Sequence, residues 1–525
     1  MKKLNNRQFW HCKPQIRYKQ KKLIILFIVI LFSFSSISCQ PTPKNDVVVN
    51  KAETDIQNKI KNSSSQTTSE SGNKVANLDI PNDNYIFSSK NEDESLTINV
   101  DAQIVVASTK KLPSAKVVPM QFTQEMVTGM FNYLFPNQKP YNTGKKITKL
   151  DIENEIIAIK RVINNGIIDG EPISDSQLAS LNEEIKDLEK QHKTAPETSQ
   201  SAISDGIMTY SDELGCDYLS VFIPNGASLS VMTNFNTSSP AIGQSTGLAS
   251  SRISYLNTQC NFSMDNAIRI TTETKLPSAA AASLKLSLKD AIAKADGLFQ
   301  EAGINDAAVF SCYLVDNHGT GHADNSYDPA SEYSYKLFYT RTLQGTSIAA
   351  SADTGAYSEN SYDVLWGQES IQFIIANDGI VEFTWMSPCK TVELIAEDVN
   401  IIDFQTAMNQ FKKMVFFTYE PETKIPQNSG ISKQTLNVSI DEIRLSPIRL
   451  KEKDHPGEYV GIYVPSYVFY GQIKKHVEGN DGNTNFSYDG YMQTRYSGND
   501  FFTGPTIVFA INAIDGSTID ILGSY

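Results

Sequence analysis

The hydrophobic positions of this chain fall into three regimes. Leu23 to Phe34 is an apolar run of 12 residues broken only by Ser33. From Gln40 to about Pro81 large apolar residues are sparse, and "KNSSSQTTSESGNK" forms a low-complexity centre. Such a segment buries too little apolar surface to offset its ordering entropy, which predicts a flexible tether. From Asn82 onward the apolar positions become periodic, and folded structure is expected to begin there.

The periods assign elements. "SLTINVDAQIVV" alternates as a strand does, whereas "FTQEMVTGMFNYLF" places Met126, Val127, Met130 and Leu134 on one helical face behind Thr123 as N-cap. Thr148 and Asp151 then cap a run carrying Ile152, Ile156, Ile159 and Ile163. Ser174 and Gln177 form a capping-box pair ahead of Leu178, Leu181, Ile185 and Leu188. With the breaker "NNGIIDGEP" between them, residues 148–192 predict an antiparallel helical hairpin. After about Thr198 the pattern turns to β, with hairpins at Pro224-Asn225-Gly226 and Asn377-Asp378-Gly379 and a last turn at Asp515-Gly516.

Two further amphipathic helices interrupt the strands. One carries Ile292, Ala295, Phe299 and Ala302 after a Ser287–Asp290 cap and stops at Gly303. The other carries Phe404, Ala407, Met408, Phe411 and Val415 after Asp403. Each precedes a set of strands, a loose internal repeat that predicts helices layered on antiparallel sheets. The expected class is α+β: antiparallel sheets packed with short amphipathic helices, plus an N-terminal helical hairpin. Domain boundaries are expected at 1–38 (signal), 39–81 (tether), 82–200, 201–400 and 401–525.

Charge changes the reading of the N-terminus. Eight basic residues and no acidic one precede the apolar run, and small serines follow it, as a secretory signal requires. A spanning helix needs about 20 apolar residues, so the run is short for a permanent anchor. The sequence Ser36-Ile37-Ser38-Cys39 resembles a bacterial lipobox, although it lacks the usual leucine at its first place. The resemblance implies cleavage before Cys39 and its diacylglyceration, with palmitate-type chains holding the protein on the outer side of the cell membrane. Removing the eight leading basic residues leaves 38 basic against 59 acidic residues, a net charge of −21 over 487 residues. That surface excludes a nucleic-acid partner. Two acyl chains give stable attachment where one binds marginally.

Little in the chain points to a reaction. "GQSTG" puts Ser245 in the nucleophile place of G-x-S-x-G, but that motif needs a strand running in and a helix running out. Here a polar stretch precedes it and a strand-like one follows. His318 and His322 stand four apart beside Asp316, Asp324 and Asp328, yet Gly319 and Gly321 argue for a loop and not a metal-binding helix. "EGNDGNTNFSYDG" offers oxygen ligands but fails the calcium-loop register at Val477. Tyr335, Tyr339 and Trp366 lie in an aromatic-rich stretch that could form a binding platform or simply pack across strands. Cys216, Cys260, Cys312 and Cys389 could form two disulfides in any of three pairings, or be small buried residues. No cofactor is expected.

The segments "AIAKADGLFQEAGI", "YSYKLFYTRTLQGTSI" and "VFAINAIDGSTIDI" resemble the PepSY pattern. From the lipobox through "LIAEDVNIIDFQTAMNQF" to "YVPSYVFYG" the chain is similar to an uncharacterised family of lipoproteins from low-GC Gram-positive anaerobes. The resemblance implies regulation or inhibition at the cell envelope and transfers no catalytic residue. The expected function is a non-enzymatic binding or regulatory module with an envelope protein, peptide or wall component as partner. The alternatives are a serine hydrolase using Ser245 and a carbohydrate-binding module.

Overall fold

A computed structural model of the chain describes residues 56–65, 84–106, 112–142, 148–165, 167–168, 171–197, 203–212, 214–223, 227–234, 251–257, 267–316, 333–352, 367–425, 429–451, 460–479, 485–489 and 504–519. All of them belong to the unit Asn50–Tyr525. The chain runs through helix α1 (Ile56–Ser65), strands β1 (Tyr85–Lys90), β2 (Leu96–Val106) and β3 (Ser114–Pro119), and helices α2 (Gln124–Leu134) and α3 (Lys149–Asn165). Then come the short strands β4 (Ile167–Ile168) and β5 (Glu171–Pro172) and helix α4 (Asp175–His192). Strands β6 (Thr209–Ser211), β7 (Cys216–Phe222), β8 (Ala227–Thr233), β9 (Arg252–Asn257) and β10 (Ile268–Ile270) lead to helices α5 (Ser278–Ser283) and α6 (Leu288–Glu301). Six strands follow: β11 (Ala307–Asp316), β12 (Tyr333–Leu343), β13 (Thr346–Ser347), β14 (Ser370–Ala376), β15 (Gly379–Met386) and β16 (Cys389–Ala396). Helix α7 (Phe404–Tyr419) precedes β17 (Ile431–Lys451), β18 (Gly461–Gly479), β19 (Asn485–Asp489) and β20 (Ile507–Asn512).

Two large sheets result. The ten-stranded one is drawn wholly from residues 209–386, in the order β10-β11-β12-β14-β15-β9-β8-β7-β6 with β13 beside β12. All its pairings are antiparallel. The eight-stranded one has the order β1-β2-β17-β18-β3-β16, and β19 and β20 also pair with β18. Here β2 runs parallel to β17. Strands from residues 85–119 therefore share a sheet with strands from 389–512: the segments 82–200 and 401–525 build one sheet together, and 201–400 supplies the other together with β16 of the first.

Each sheet carries a helix on one face. Helix α6 is capped by Ser287, whose Oγ accepts from Asp290 N at 3.1 Å. It buries Ala291, Ala295, Leu298 and Phe299 against Leu337, Phe373, Phe383 and Trp385 of the ten-stranded sheet. Helix α7 is capped by Asp403, which accepts from Thr406 N at 2.7 Å, and it buries Phe404, Met408, Phe411 and Val415 on the eight-stranded sheet. Phe411 stacks on Phe469 at 4.4 Å between ring centroids. At about 1.5–3 kcal/mol per buried large apolar side chain, this packing outweighs the few tenths of a kilocalorie per residue that propensity contributes.

Helix α2 adds Val127, Met130 and Leu134 to the same core as α6. The two helices meet at glycine. A Cβ on Gly129 would come within 2.0 Å of Glu301 O, and one on Gly297 within 2.7 Å of Tyr133 Oη. Helices α3 and α4 lie against each other, with Ile152, Ile185 and Leu188 buried and Glu153 Oε1 2.7 Å from His192 Nε2. At the start of α4, Ser174 Oγ accepts from Gln177 N and Gln177 Oε1 accepts from Ser174 N.

The tether expected over 39–81 is corrected within 56–65. That stretch is helix α1, with Ile60 fully buried beside Val399 and Ile462 and Lys59 paired with Asp515 at 2.8 Å. Serine-rich composition hid the apolar positions Ile56 and Ile60, which join a core cluster that no local pattern announces. Cys216, Cys312 and Cys389 are free thiols and buried, while Cys260 lies outside the described residues. Among the described residues no helix is long and apolar enough to cross a membrane.

Candidate functional site

Cys39, Ser245, His318, His322 and Trp366 lie outside the described residues. Tyr335 and Tyr339 do not form an open platform. Both are 1% exposed and point from β12 into the core beneath α6. The Tyr335 hydroxyl donates to Leu286 O at 3.1 Å, and that of Tyr339 donates to Asp296 Oδ1 at 2.8 Å. The Tyr339 ring packs on Phe299 and Phe373. Burial, together with the Asp296 charge, pushes the Tyr339 phenol far above its ordinary value, so it serves as a donor only. Alternation along the strand puts residues 335, 337 and 339 on the helix-covered face, which is the cross-strand packing alternative.

A polar cluster sits where the two sheets meet. Arg341 of β12 holds Asp306 through two bonds, Nε to Oδ1 at 2.7 Å and Nη2 to Oδ2 at 2.6 Å. Its guanidinium also lies 3.9 Å from Glu369 and 5.6 Å from the Trp385 ring centroid. Glu369 Oε1 accepts from Trp385 Nε1 at 2.9 Å and from Cys389 N at 3.3 Å. From the other sheet, Arg449 Nη2 donates to Gly367 O at 2.6 Å and Nη1 lies 3.3 Å from Cys389 Sγ. Burial pushes the Cys389 thiol up to about 11, leaving it protonated and a poor nucleophile at neutral pH. This cluster is scaffold. A second link across the sheets has the same character: Glu442 of β17 pairs with Arg269 of β10 and with Arg444, which covers the Phe310 ring at 3.9 Å.

An open cleft of about 500 Å³ lies at one end of the ten-stranded sheet, where β15 begins, β9 ends and β8 begins. Its floor is Leu134, Ala227 and Tyr255, all buried. The C-terminal end of α2 and the residues after it supply one wall with Tyr133, Pro136 and Gln138; α6 supplies Lys294, and the β14–β15 turn supplies Asp378. These walls are braced. Tyr133 Oη donates to Lys294 O at 2.8 Å, locking α2 to α6 beside Gly297. Asn377 fixes the turn by accepting from Lys285 N at 2.8 Å and donating to Ser283 O at 2.9 Å. A braced concavity with an apolar floor and a few convergent polar groups is the form small-ligand sites take.

Sequence reasoning saw the parts and not the cleft. Asn377-Asp378-Gly379 is legible as a hairpin turn, and Tyr133 and Lys294 as residues of amphipathic helices. Their convergence depends on the two glycine contacts between α2 and α6, for which a single sequence carries no signal. Among the described residues no three His, Cys, Asp or Glu side chains gather as a metal would need.

Fold and cleft together define a mixed α+β protein with two mainly antiparallel sheets, each covered by a helix, and a braced opening at a sheet end. No family model matches the chain, and no curated protein matches it. Among solved structures it is similar to an uncharacterised protein from Eubacterium rectale ATCC 33656, at 11% identity and a TM-score of 0.40, over 82% of this chain and 91% of that one.

Proposed function

We propose that this chain is a lipid-anchored protein of the cell envelope, acylated at Cys39, facing outside the cytoplasm and acting as a non-enzymatic binding or regulatory module. The observation that carries the binding role is the braced cleft, whose walls are set before any ligand arrives and so add little ordering cost on binding. The anchor rests on the basic start, the 12-residue apolar run and Cys39 behind small residues.

Docking of α1 narrows the geometry of attachment. Sixteen residues, Gln40 to Asp55, separate Cys39 from the helix. At full extension they reach about 55 Å, so the start of α1 stays within that distance of residue 39. We also read the two helix-then-strands units, α6 with β11–β12 and α7 with β17, β18 and β20, as PepSY-like repeats, and α3 with α4 as an N-terminal helical hairpin. PepSY-like modules imply regulation of an envelope protein, and that part of the reading is analogy of fold.

Growth with an alkyne-tagged palmitate followed by capture of the protein tests the anchor. Label on the wild type, lost in Cys39→Ala, supports it. An unlabelled wild-type protein refutes it.

A further inference from the structure

The composition of the cleft lining restricts what it can hold. Lys294 and Asp378 bring one positive and one negative charge, and Gln138 and Asn257 bring two amides. The lining is thus neutral as a whole within an exported chain of net charge −21. The lining carries no net charge that would select an anion or a cation. The polar set contains donors and acceptors together, which suits groups that both donate and accept, as a hydroxyl does. The apolar part offers the half-buried Tyr133 and the exposed Pro136 above the buried floor, against which flat C–H surfaces pack with little entropy loss.

Topology removes a competing occupant. A peptide that binds by strand addition needs a sheet edge. The strands that line the cleft, β8, β9 and β15, are all interior to the ten-stranded sheet, whose edges are β10 and β6. Recognition here does not use an added strand.

We propose that this cleft binds an uncharged sugar unit, with the ring stacked against the aromatic and proline faces and its hydroxyls shared among Lys294, Asp378, Gln138 and Asn257. The inference rests on the reading of the protein as a binding module and supplies its ligand class. A cleft of about 500 Å³ falls in the range of small-ligand sites.

The test uses the full chain in detergent, with N,N′-diacetylchitobiose, cellobiose and tri-alanine as probes in saturation-transfer NMR and calorimetry. Saturation of the ring C–H protons of at least one disaccharide is expected, with no signal from tri-alanine. The variants Lys294→Ala and Asp378→Ala should each weaken that binding about tenfold, the worth of a hydrogen bond to a charged group. Unchanged unfolding midpoints would exclude a folding defect, and Gln138→Ala at the exposed rim gives a second, milder variant. Absence of binding by both disaccharides would overturn the proposal, as would sugar binding that all three variants leave intact, or equal binding of tri-alanine. Palmitate labelling is independent of these outcomes, so loss of the sugar site leaves the anchored reading standing.

Discussion

The Lys59 ammonium lies 2.8 Å from the Asp515 carboxylate, joining the first described helix to the last described turn. Beside it, Ile60 is fully buried among Val399, Ile448 and Ile462. The apolar contact outweighs the ionic one, because the ion pair is partly solvated. Ile60→Ala should cost about 2 kcal/mol or more and Lys59→Ala at most about 1 kcal/mol. Limited proteolysis provides the check: the Ile60 variant should be cut within 56–65 well before wild type, and the Lys59 variant only slightly sooner.

Gly129 and Gly303 make a contrasting pair. A Cβ at Gly129 meets the backbone carbonyl of Glu301 at 2.0 Å, which neither helix can relieve without separating. Gly303 has φ +72° and open space around its missing Cβ, so alanine there meets only backbone strain. Gly129→Ala should lose about 3 kcal/mol in urea unfolding, at the upper end of overpacking costs, and Gly303→Ala about 1 kcal/mol. Equal losses would contradict the close crossing of α2 and α6.

Lys336 is buried on β12 with its ammonium 5.2 Å from the Phe338 ring centroid. Burial pulls its pKa from 10.5 down to about 8, and the Glu382 carboxylate opposes that pull. Between those values the unfolded chain binds more protons than the folded one, so this residue makes stability rise with pH across the window and fall as pH drops through about 8. Cys312 and Cys389, both pushed up to about 11, act in the opposite direction above pH 9, so a difference measurement is needed. Lys336→Met lacks the ammonium, and its stability advantage over wild type should hold up to about pH 8 and shrink from there to pH 10 in urea titrations. A pH-independent difference would refute the assignment.

The three described cysteines are buried thiols, and burial raises all of them above the ordinary thiol value. Iodoacetamide at neutral pH should leave Cys216, Cys312 and Cys389 unmodified in the native protein and alkylate all three in guanidinium. Peptide mass spectrometry reads both states. Native disulfide-linked peptides containing any of the three would contradict the arrangement.

Local rules carried most of the elements. The caps at Thr123, Ser174, Ser287 and Asp403 are all formed, because a cap depends on residues three positions away. The stripe from Phe404 to Val415 and the turn at Asp378-Gly379 were legible for the same reason. Long-range pairing was not. The parallel contact of β2 with β17 joins residues more than 300 apart, and no period in either strand selects the other. Tyr335 and Tyr339 could be read as platform or packing because aromatic density carries no information about which face a helix will cover. Ile60 escaped notice because one buried residue in a serine-rich stretch has no period to reveal it. The cleft required the whole assembly.

The central proposal is that acyl chains on residue 39 keep this folded body at the membrane. Intact-mass and top-down mass spectrometry of the native protein tests it directly. The account expects a mature N-terminus at Cys39 carrying a thioether-linked diacylglyceryl group. A chain that still begins at Met1, or one whose Cys39 is unmodified, would contradict it.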